Sequence, residues 1–237
     1  MTDVKIGKRI IGAGHPVYVI AEAGSNFDGN LARAKSLAKL AKDIGADAYK
    51  IQNFLASNLV SSVGSKGIPL PSAKGQAVSM FDAYRKSEFP REWLEELSDY
   101  CEEVGIDFFS SPYDIDAVNF LEKIGAPAYK IGSGEIDNLE FLEYVAKLGK
   151  PILIACGMAT FEEVERAIAT IRNAGNNQIV LMQCTTNYPS PVEDANIKAM
   201  VVLGEKLNVL VGYSDHTIGP EGGGDDPLAG LTVPPLV

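Results

Sequence analysis

Two lysines of this chain stand in nearly the same local sequence, where a buried strand is expected. Lys50 lies in "GADAYKIQNF" and Lys130 lies in "GAPAYKIGSGE". Side chains alternate along a strand, so Tyr and Ile share one face while Ala and Lys share the other. A buried ammonium group needs a carboxylate or an anionic ligand nearby. The repeat therefore indicates an anion-binding site, an ion network with Glu22 or Glu135, or a Schiff-base lysine as in barrel aldolases.

Hydroxyl groups and small residues follow these lysines. Ser133 and Glu135 come between Lys130 and a helical segment, and free N–H groups before a helix form an anion cradle. Ser111 in "SSPYD" is interpreted either as a helix cap or as a phosphate contact. Tyr188, in the proline-rich "TTNYPSP", is predicted to form a wall of the substrate site.

The histidines and cysteines offer further candidates. His216 in "YSDHT" lies beside Asp215. We interpret this histidine as a divalent metal ligand or a general base, and the alternative is a hydrogen-bonded loop histidine without a chemical role. His15 is expected to be a surface or capping residue. Cys156 and Cys184 fall at strand ends, which suits a Cys/His nucleophile or, more commonly, buried free thiols.

Short apolar runs alternate with helical patterns along the chain. The predicted strands are 17–24, 48–52, 107–111, 128–132, 151–157, 178–184 and 208–214. Strict alternation predicts an α/β fold with a parallel sheet, either open and doubly wound or closed as a (β/α)8 TIM barrel. No GxGxxG follows a strand, and polar residues end nearly every strand, which favours a barrel with one mouth. Alternate strands share an interior layer, so Lys50 and Lys130 are predicted to be neighbours.

The helices between these strands are amphipathic. In the helix predicted over 30–44, Leu37, Leu40 and Ile44 share one face. In the helix predicted over 91–104, the inward residues are expected to be Trp93, Leu97, Tyr100 and Val104. Thr160 and Glu163 form a capping box that opens a further helix.

The pattern is one strand short of a complete barrel. After "YSDHT" comes "IGPEGGGDDPLAGLTVPPLV", rich in Gly, Pro and Asp. We expect one barrel domain over 1–237 that lacks the final βα unit and any C-terminal domain. Residues 4–12 are a possible extra strand at the barrel floor, and the long connection 53–89 is expected to be a lid on the catalytic face.

Composition excludes some classes of function. The chain has 21 Lys and Arg against 31 Asp and Glu, a net charge of −10, which disfavours nucleic-acid and anionic-membrane partners. Its three cysteines include no CxxC pair, so neither a disulfide framework nor a structural zinc site is indicated. No signal peptide and no membrane-spanning run is visible, so we expect a cytoplasmic protein.

Seven motifs, in order, resemble those of the N-acetylneuraminate (sialic acid) synthase family, which includes legionaminate, pseudaminate and spore-coat polysaccharide relatives. They are "IAEAGSNFDGN" with "AKDIGADAYKIQNF", "FFSSPYD", "APAYKIGSGEIDN", "PILIACGM", "QCTTNYPSP" and "GYSDHT". The resemblance implies a TIM barrel that condenses phosphoenolpyruvate with an N-acetylated aldose such as N-acetylmannosamine. The products are phosphate and a nine-carbon 2-keto acid. It also implies a divalent metal, commonly Mn²⁺ with Mg²⁺ as an alternative, and a homodimer of the full-length protein.

The resemblance also implies residue roles. The phosphoenolpyruvate ligands would be Lys50, Ser111, Lys130, Ser133 and Ser214. His216 would bind the metal, and Glu22 would meet the metal-side water or the sugar. The sugar site would be lined by Gln52, Glu135, Thr186, Tyr188 and Asp215. Glu22, Lys50, Lys130 and His216 are thus the expected catalytic residues, with both lysines as charge partners.

The chain departs from the family pattern at several positions. It has Asn26 and Phe27 where Asn-His is usual, Ala155 where a serine is frequent, and Thr186 where asparagine is frequent. The family's second metal histidine on strand eight, and an arginine from a C-terminal antifreeze-like domain, are not found here. We therefore expect this polypeptide alone to bind metal poorly and to turn over slowly or not at all.

Overall fold

A computed structural model describes residues 2–64, 69–71 and 77–217. The stretch 218–237, singled out above for its composition, lies outside these residues. The chain forms two compact units, one of residues 17–129 and one of residues 1–16 with 130–237. The single-domain organisation stays a prediction. In the described part of the chain, no helix is both long and apolar enough to cross a membrane.

The strands and helices are as follows, in chain order. The strands are β1 (Val4–Ile6), β2 (Arg9–Ile11), β3 (Ile20–Gly24), β4 (Ala48–Asn53), β5 (Pro69–Pro71), β6 (Ala77–Ser79), β7 (Asp107–Pro112), β8 (Tyr129–Ile131), β9 (Ile152–Ala155), β10 (Ile179–Gln183) and β11 (Leu210–Tyr213). The helices are α1 (Leu31–Asp43), α2 (Ala56–Leu59), α3 (Met80–Ser87), α4 (Leu94–Val104), α5 (Ile115–Lys123), α6 (Leu139–Lys147), α7 (Phe161–Asn173) and α8 (Lys198–Leu207). Short 3₁₀ helices cover Arg91–Trp93, Ser133–Glu135 and Val192–Ala195.

The βα alternation predicted from the sequence is confirmed. In one unit β3, β4 and β7 form a parallel sheet in that order. In the other, β9, β10 and β11 are parallel, with β8 beside β9. Within each of these two sheets, every strand pairs with the next one along the βα series, and neither sheet has the order reversal of a doubly wound fold. This order favours the barrel alternative, although barrel closure stays a prediction.

The predicted alternation around Lys50 is also confirmed. Tyr49 and Ile51 are fully buried in a hydrophobic cluster with residues of α1 and α4. The ring of Tyr49 stacks on that of Phe108 in β7, with centroids 6.3 Å apart. Because side chains alternate, Lys50 points away from this helix-facing layer.

The prediction for the apolar face of α1 is wrong for two of its three residues, since only Leu37 packs against the hydrophobic cluster. Leu40 and Ile44 are exposed, and α1 buries Ala34, Ala38 and Ala41 instead. Small side chains at the contact let a helix axis approach its neighbour closely, so alanines suit this position better than leucines. In α4 the fully buried residues are Leu94, Leu97 and Cys101, while Trp93, Tyr100 and Val104 pack against the same cluster but stay partly exposed.

The N-terminal segment 4–12 is a hairpin and not the single strand considered above. β1 and β2 are antiparallel, with Val4 opposite Ile11. Gly7 makes the turn with φ of 54°, a left-handed conformation that glycine adopts without steric cost. Its place at a barrel floor stays a prediction.

A polar network fastens both ends of the long connection after β4. The Arg91 guanidinium donates to Asn53 Oδ1 at 3.0 Å and to Asp114 Oδ2 at 2.5 Å. Asn58 Nδ2 donates to the same Asp114 oxygen at 2.9 Å, and the other oxygen caps α5 by accepting from Ala117 N–H at 2.7 Å. Between these points lie α2, the β5–β6 hairpin and α3. That the connection acts as a lid stays a prediction, and part of it lies outside the described residues.

The capping box predicted at Thr160 is confirmed. Thr160 Oγ1 accepts from Glu163 N–H at 3.3 Å, and Glu163 Oε2 accepts from Thr160 N–H at 2.7 Å. These two bonds satisfy donors that have no intrahelical partner at the start of α7. The bond from the Thr160 backbone holds the pKa of the Glu163 carboxyl below its usual range.

Replacing Thr160 with Ala is expected to lower the free energy of unfolding by about 1 kcal/mol, the usual contribution of an N-cap side chain. Thr160→Ser keeps the cap oxygen, so its free energy of unfolding should stay close to that of wild type.

The depressed pKa means that Glu163 stabilises the fold above its unfolded pKa, about 4.3, and that this contribution is lost as the pH falls through the folded pKa. Urea denaturation of wild type and Glu163→Gln at several pH values measures it, and a difference that grows on acidification would contradict the assignment.

Candidate functional site

The first group of candidate residues lies on the neighbouring strands β3, β4 and β7. The register places Glu22 beside Lys50, and Gln52 beside Ser111. Lys50 is 8% exposed, forms an ion pair with Glu22 and donates a hydrogen bond to Ser111 Oγ at 3.4 Å. We call Glu22, Lys50 and Ser111 the Lys50 cluster. It combines a buried cation with a hydroxyl group, which suits an anionic ligand.

Gln52 and Phe27 differ in what they contribute near this cluster. Gln52 is partly exposed, so its amide is accessible to a ligand. Phe27 is buried, and its ring packs edge-on against Phe89 with centroids 4.9 Å apart. The departure at residue 27 therefore places an apolar core side chain where a histidine is usual in the resembled family.

The second group surrounds Lys130 in β8. Lys130 is 8% exposed, and its Nζ donates to the carbonyl of Ile131 at 3.1 Å. Burial lowers the pKa of Lys130 from its usual range, and the nearby Cys184, Glu135 and Cys156 oppose that shift. Lys130 thus differs from Lys50, which has a carboxylate in direct contact.

Glu135 has a carboxyl oxygen that could accept a hydrogen bond from a ligand. Its Oε2 is buried and has no hydrogen-bond partner among the residues that the structure describes. Burial raises the pKa of Glu135, while Lys130 acts in the opposite direction. A carboxyl group of this kind holds its proton to higher pH and suits proton transfer or hydrogen bonding to a polar substrate.

Three further residues of this unit meet at the ends of β9 and β10. Ser133 Oγ lies 3.2 Å from Cys184 Sγ and accepts a hydrogen bond from Gly157 N–H at 3.1 Å. Cys156 lies close by, and its thiol donates to the carbonyl of Met182 at 3.4 Å. Burial raises the pKa of Cys156 to about 11, so its thiol form dominates at neutral pH. A thiol in this state is a poor nucleophile, which disfavours the Cys/His interpretation for Cys156.

The third group is centred on His216, just after β11. Its Nδ1 lies 2.5 Å from the Thr185 carbonyl oxygen, which only accepts, so Nδ1 carries the proton. Nε2 then accepts from the Tyr188 hydroxyl at 3.0 Å, and Ser214 Oγ is 3.4 Å away. The Tyr188 and His216 rings lie 4.1 Å apart. Tyr188 itself is 74% exposed, as a substrate wall requires.

The described residues offer one candidate metal ligand and not a complete set. No group of three or more His, Cys, Asp or Glu able to hold a metal occurs in the described part of the chain. Asp215, next to His216, accepts from Tyr213 O–H at 3.3 Å and from Thr217 N–H at 2.9 Å. His216 has a suitable tautomer, but these residues alone do not fit a divalent metal.

The predicted site residues therefore fall into three groups. Glu22, Lys50 and Ser111 meet in one unit. In the other unit, Ser133 meets Cys184, and Tyr188 and Ser214 meet His216. Thr186 is exposed on the loop after β10, and His15 is exposed beside Asp3, as expected. The proximity of Lys50 and Lys130 stays a prediction.

The sequence analysis did not identify Gly157 as a site residue, and it did not predict the contact between Cys184 and Ser133. A side chain on Gly157 would place its Cβ 2.7 Å from both the Cys184 carbonyl oxygen and Cys184 Sγ. The glycine directly after a strand in "ACGM" was the only available signal. Glycine there permits a close approach of the two chain segments.

Comparison with known proteins gives a consistent picture. The NeuB family profile matches residues 37–222. The N,N'-diacetyllegionaminic acid synthase of Campylobacter jejuni is 39% identical over 203 residues, covering 85% of this chain and 61% of the relative. The spore coat polysaccharide biosynthesis protein SpsE of Bacillus subtilis is 37% identical over 221 residues, covering 93% and 58%.

A solved structure supports the fold. The N-acetylneuraminic acid synthetase of Leptospira borgpetersenii, in complex with citrate, superposes with a TM-score of 0.81 at 29% identity, covering 93% of this chain and 72% of that one. The chain spans about three fifths of the length of the curated relatives it matches. With a profile match over most of its residues and relatives above 30% identity, the chain belongs to the NeuB family.

Proposed function

We propose that this protein takes part in the condensation of phosphoenolpyruvate with an N-acetylated aldose, which makes it a phosphoenolpyruvate-dependent transferase of sugar acid and polysaccharide biosynthesis. Membership of the NeuB family and the names of the relatives support this reaction class. The observation that carries the proposal is the Lys50 cluster, a buried cation within a parallel strand with a carboxylate and a hydroxyl beside it. The acceptor we propose is of the N-acetylmannosamine type.

The reaction balances without a redox partner. C3 of phosphoenolpyruvate attacks the aldehyde carbon, and the electron pair of the carbonyl moves to its oxygen, which takes a proton. C2 becomes an oxocarbenium-like centre, and a water molecule adds its oxygen there and loses a proton. The bond between C2 and the phosphate oxygen then breaks, inorganic phosphate leaves with the bonding pair, and the new C2 hydroxyl loses its proton, so that C2 becomes the ketone of a nine-carbon 2-keto acid.

In the Lys50 cluster, the ammonium group and Ser111 bind an anionic group of phosphoenolpyruvate. Glu22 is exposed and already paired with Lys50, so a bound anion competes with it for the cation. Released from that pair, the Glu22 carboxylate accepts a proton from the attacking water or a hydrogen bond from a sugar hydroxyl. Gln52 supplies an amide to the sugar.

In the other unit, Lys130, Ser133 and Ser214 bind an anionic group of phosphoenolpyruvate. The low local polarity that lowers the pKa of Lys130 also strengthens its attraction to a bound anion, which in turn keeps the ammonium form. Glu135, with its raised pKa, donates a hydrogen bond or a proton on the sugar side. Thr186, Tyr188 and Asp215 complete the sugar contacts.

Two parts of the proposal rest on the family resemblance alone. A divalent cation, Mn²⁺ or Mg²⁺, is one of them, with His216 as its candidate ligand. Homodimer formation by a full-length protein is the second. Cytoplasmic localisation is a separate proposal that the resemblance does not supply.

A Schiff-base aldolase is the second candidate function. It is favoured by one observation, the lowered pKa of Lys130, because a neutral amine is the form that attacks a carbonyl. A catalytically inactive scaffold that retains an anion site is a third candidate, and the first experiment below distinguishes it.

We predict that Lys50→Met and Lys130→Met each reduce phosphate release from phosphoenolpyruvate by about 100-fold or more, because each removes a charge that stabilises the anionic reactant. The assay follows inorganic phosphate with Mn²⁺ and a panel of N-acetylated hexoses. Lys39→Met, a change at an exposed lysine of α1 paired with Asp43, is the matched control and should keep wild-type activity. A folded wild type that releases no phosphate with any sugar would instead favour the inactive scaffold.

Borohydride reduction in the presence of pyruvate separates the synthase from the aldolase. For the synthase we expect no covalent adduct, since the lysines act as charged partners. Mass spectrometry of peptides containing Lys50 and Lys130 is the measurement. A pyruvyl adduct on Lys130 that disappears in Lys130→Met would establish the Schiff-base aldolase and refute the synthase proposal.

Chelation tests the metal. We predict that EDTA followed by gel filtration reduces phosphate release and that Mn²⁺ restores more of it than Mg²⁺. The paramagnetic resonance of free Mn²⁺ gives a second readout, because binding at His216 would weaken that signal and His216→Ala would recover it. Full activity after chelation, with no Mn²⁺ bound, would remove the metal from the proposal.

A further inference from the structure

The Ser133 hydroxyl is held from two sides by groups of its own unit. Gly157 N–H donates to Ser133 Oγ at 3.1 Å, and Cys184 Sγ lies 3.2 Å from the same oxygen. Cys184 is 3% exposed, so its thiol is not engaged with bulk water. The proposed condensation uses Ser133 as a ligand of phosphoenolpyruvate, but it gives no role to Gly157 or Cys184.

The number of hydrogen atoms limits what these contacts do. A serine hydroxyl donates one hydrogen bond and accepts two. Gly157 N–H uses one acceptor position, since a backbone N–H only donates. If Cys184 S–H donates to the second acceptor position, the serine proton stays available for a third group. If Ser133 donates to the sulfur instead, its only proton is consumed and Ser133 has no donor for a ligand.

The absence of a side chain at Gly157 leaves room for the sulfur in this position. A Cβ on residue 157 would lie 2.7 Å from Cys184 Sγ, so the sulfur occupies the space that any side chain there would need. The thiol therefore lies close to Gly157 and to the Ser133 hydroxyl that accepts from its N–H. Lys130 is near enough for Cys184 to influence its pKa, so the serine lies in the neighbourhood of the buried cation.

We propose that Cys184 is a positioning residue for the anion site. By donating its S–H to Ser133 Oγ, together with Gly157 N–H, it directs the serine proton toward an anionic ligand, the phosphate or carboxylate of phosphoenolpyruvate. The inference rests on the proposed function, which assigns Ser133 to that ligand. Cys184 does not itself contact the reacting atoms.

A double-mutant cycle tests the coupling of the two residues. Phosphoenolpyruvate binding is measured by isothermal titration calorimetry for wild type, Cys184→Ala, Ser133→Ala and the double variant. We expect Cys184→Ala to weaken binding by about 3- to 10-fold, the contribution of one hydrogen bond. In the Ser133→Ala background the same change should have no further effect, because the group that Cys184 orients is gone.

Two more variants exclude a merely structural effect. Cys184→Ser keeps a donor at the same place and should recover most of the lost affinity, although it also alters the volume. Cys101→Ala removes another buried thiol, on α4, and should leave the affinity unchanged. Thermal unfolding of every variant establishes that the binding protein is folded.

The possible results lead to separate conclusions. Additive losses in the cycle, or equal losses in Cys184→Ala and Cys184→Ser, would overturn the positioning role while leaving the proposed function intact. Unchanged affinity in Cys184→Ala would do the same. A folded wild type that does not bind phosphoenolpyruvate would overturn the proposed function, and this inference with it.

Discussion

The structure depends first on the need to keep a lysine ammonium group on a buried strand. An uncompensated charge there would cost several kcal/mol, so each lysine requires partners from neighbouring elements. For Lys50 the register of β3 against β4 supplies Glu22, and β7 supplies Ser111. For Lys130 the direct partner is a backbone carbonyl, and the nearest carboxyl, Glu135, acts at longer range. Nearly identical sequences thus give two electrostatically different lysines.

The parallel sheets allow short loops to place polar partners near these lysines. Every strand ends on the same side of its sheet, so short loops bring donors from several elements to one edge. Within the unit that contains β9, β10 and β11, this edge carries Ser133, Cys184 and His216 with their hydrogen-bond partners. The strands themselves are filled by buried apolar residues such as Ile154 and Leu181. The polar groups are therefore concentrated beyond the apolar length of the strands.

The sequence predicted the parts that local patterns determine. The strands followed from apolar runs, the orientation of Lys50 from alternation, and the start of α7 from the spacing of Thr160 and Glu163. The buried face of α1 was not predictable in this way, because leucine and alanine are both apolar. Only the packing distance of the helix determines that Ala38, and not Leu40, lies in the core. The contacts of Ser133 with Cys184 and of Tyr188 with His216 join residues far apart in sequence, and no local pattern reports their geometry.

The fastening of the connection after β4 has a consequence for how this protein can vary. Asp114 binds Asn58 near the start of the connection and Arg91 at its end, so both limbs are tied to the residue that caps α5. The entropy of closing a loop grows only slowly with its length once the ends are fixed. Insertions, deletions and exchanges in the intervening segment can therefore accumulate between homologues without moving the strand ends that carry Lys50 and Ser111.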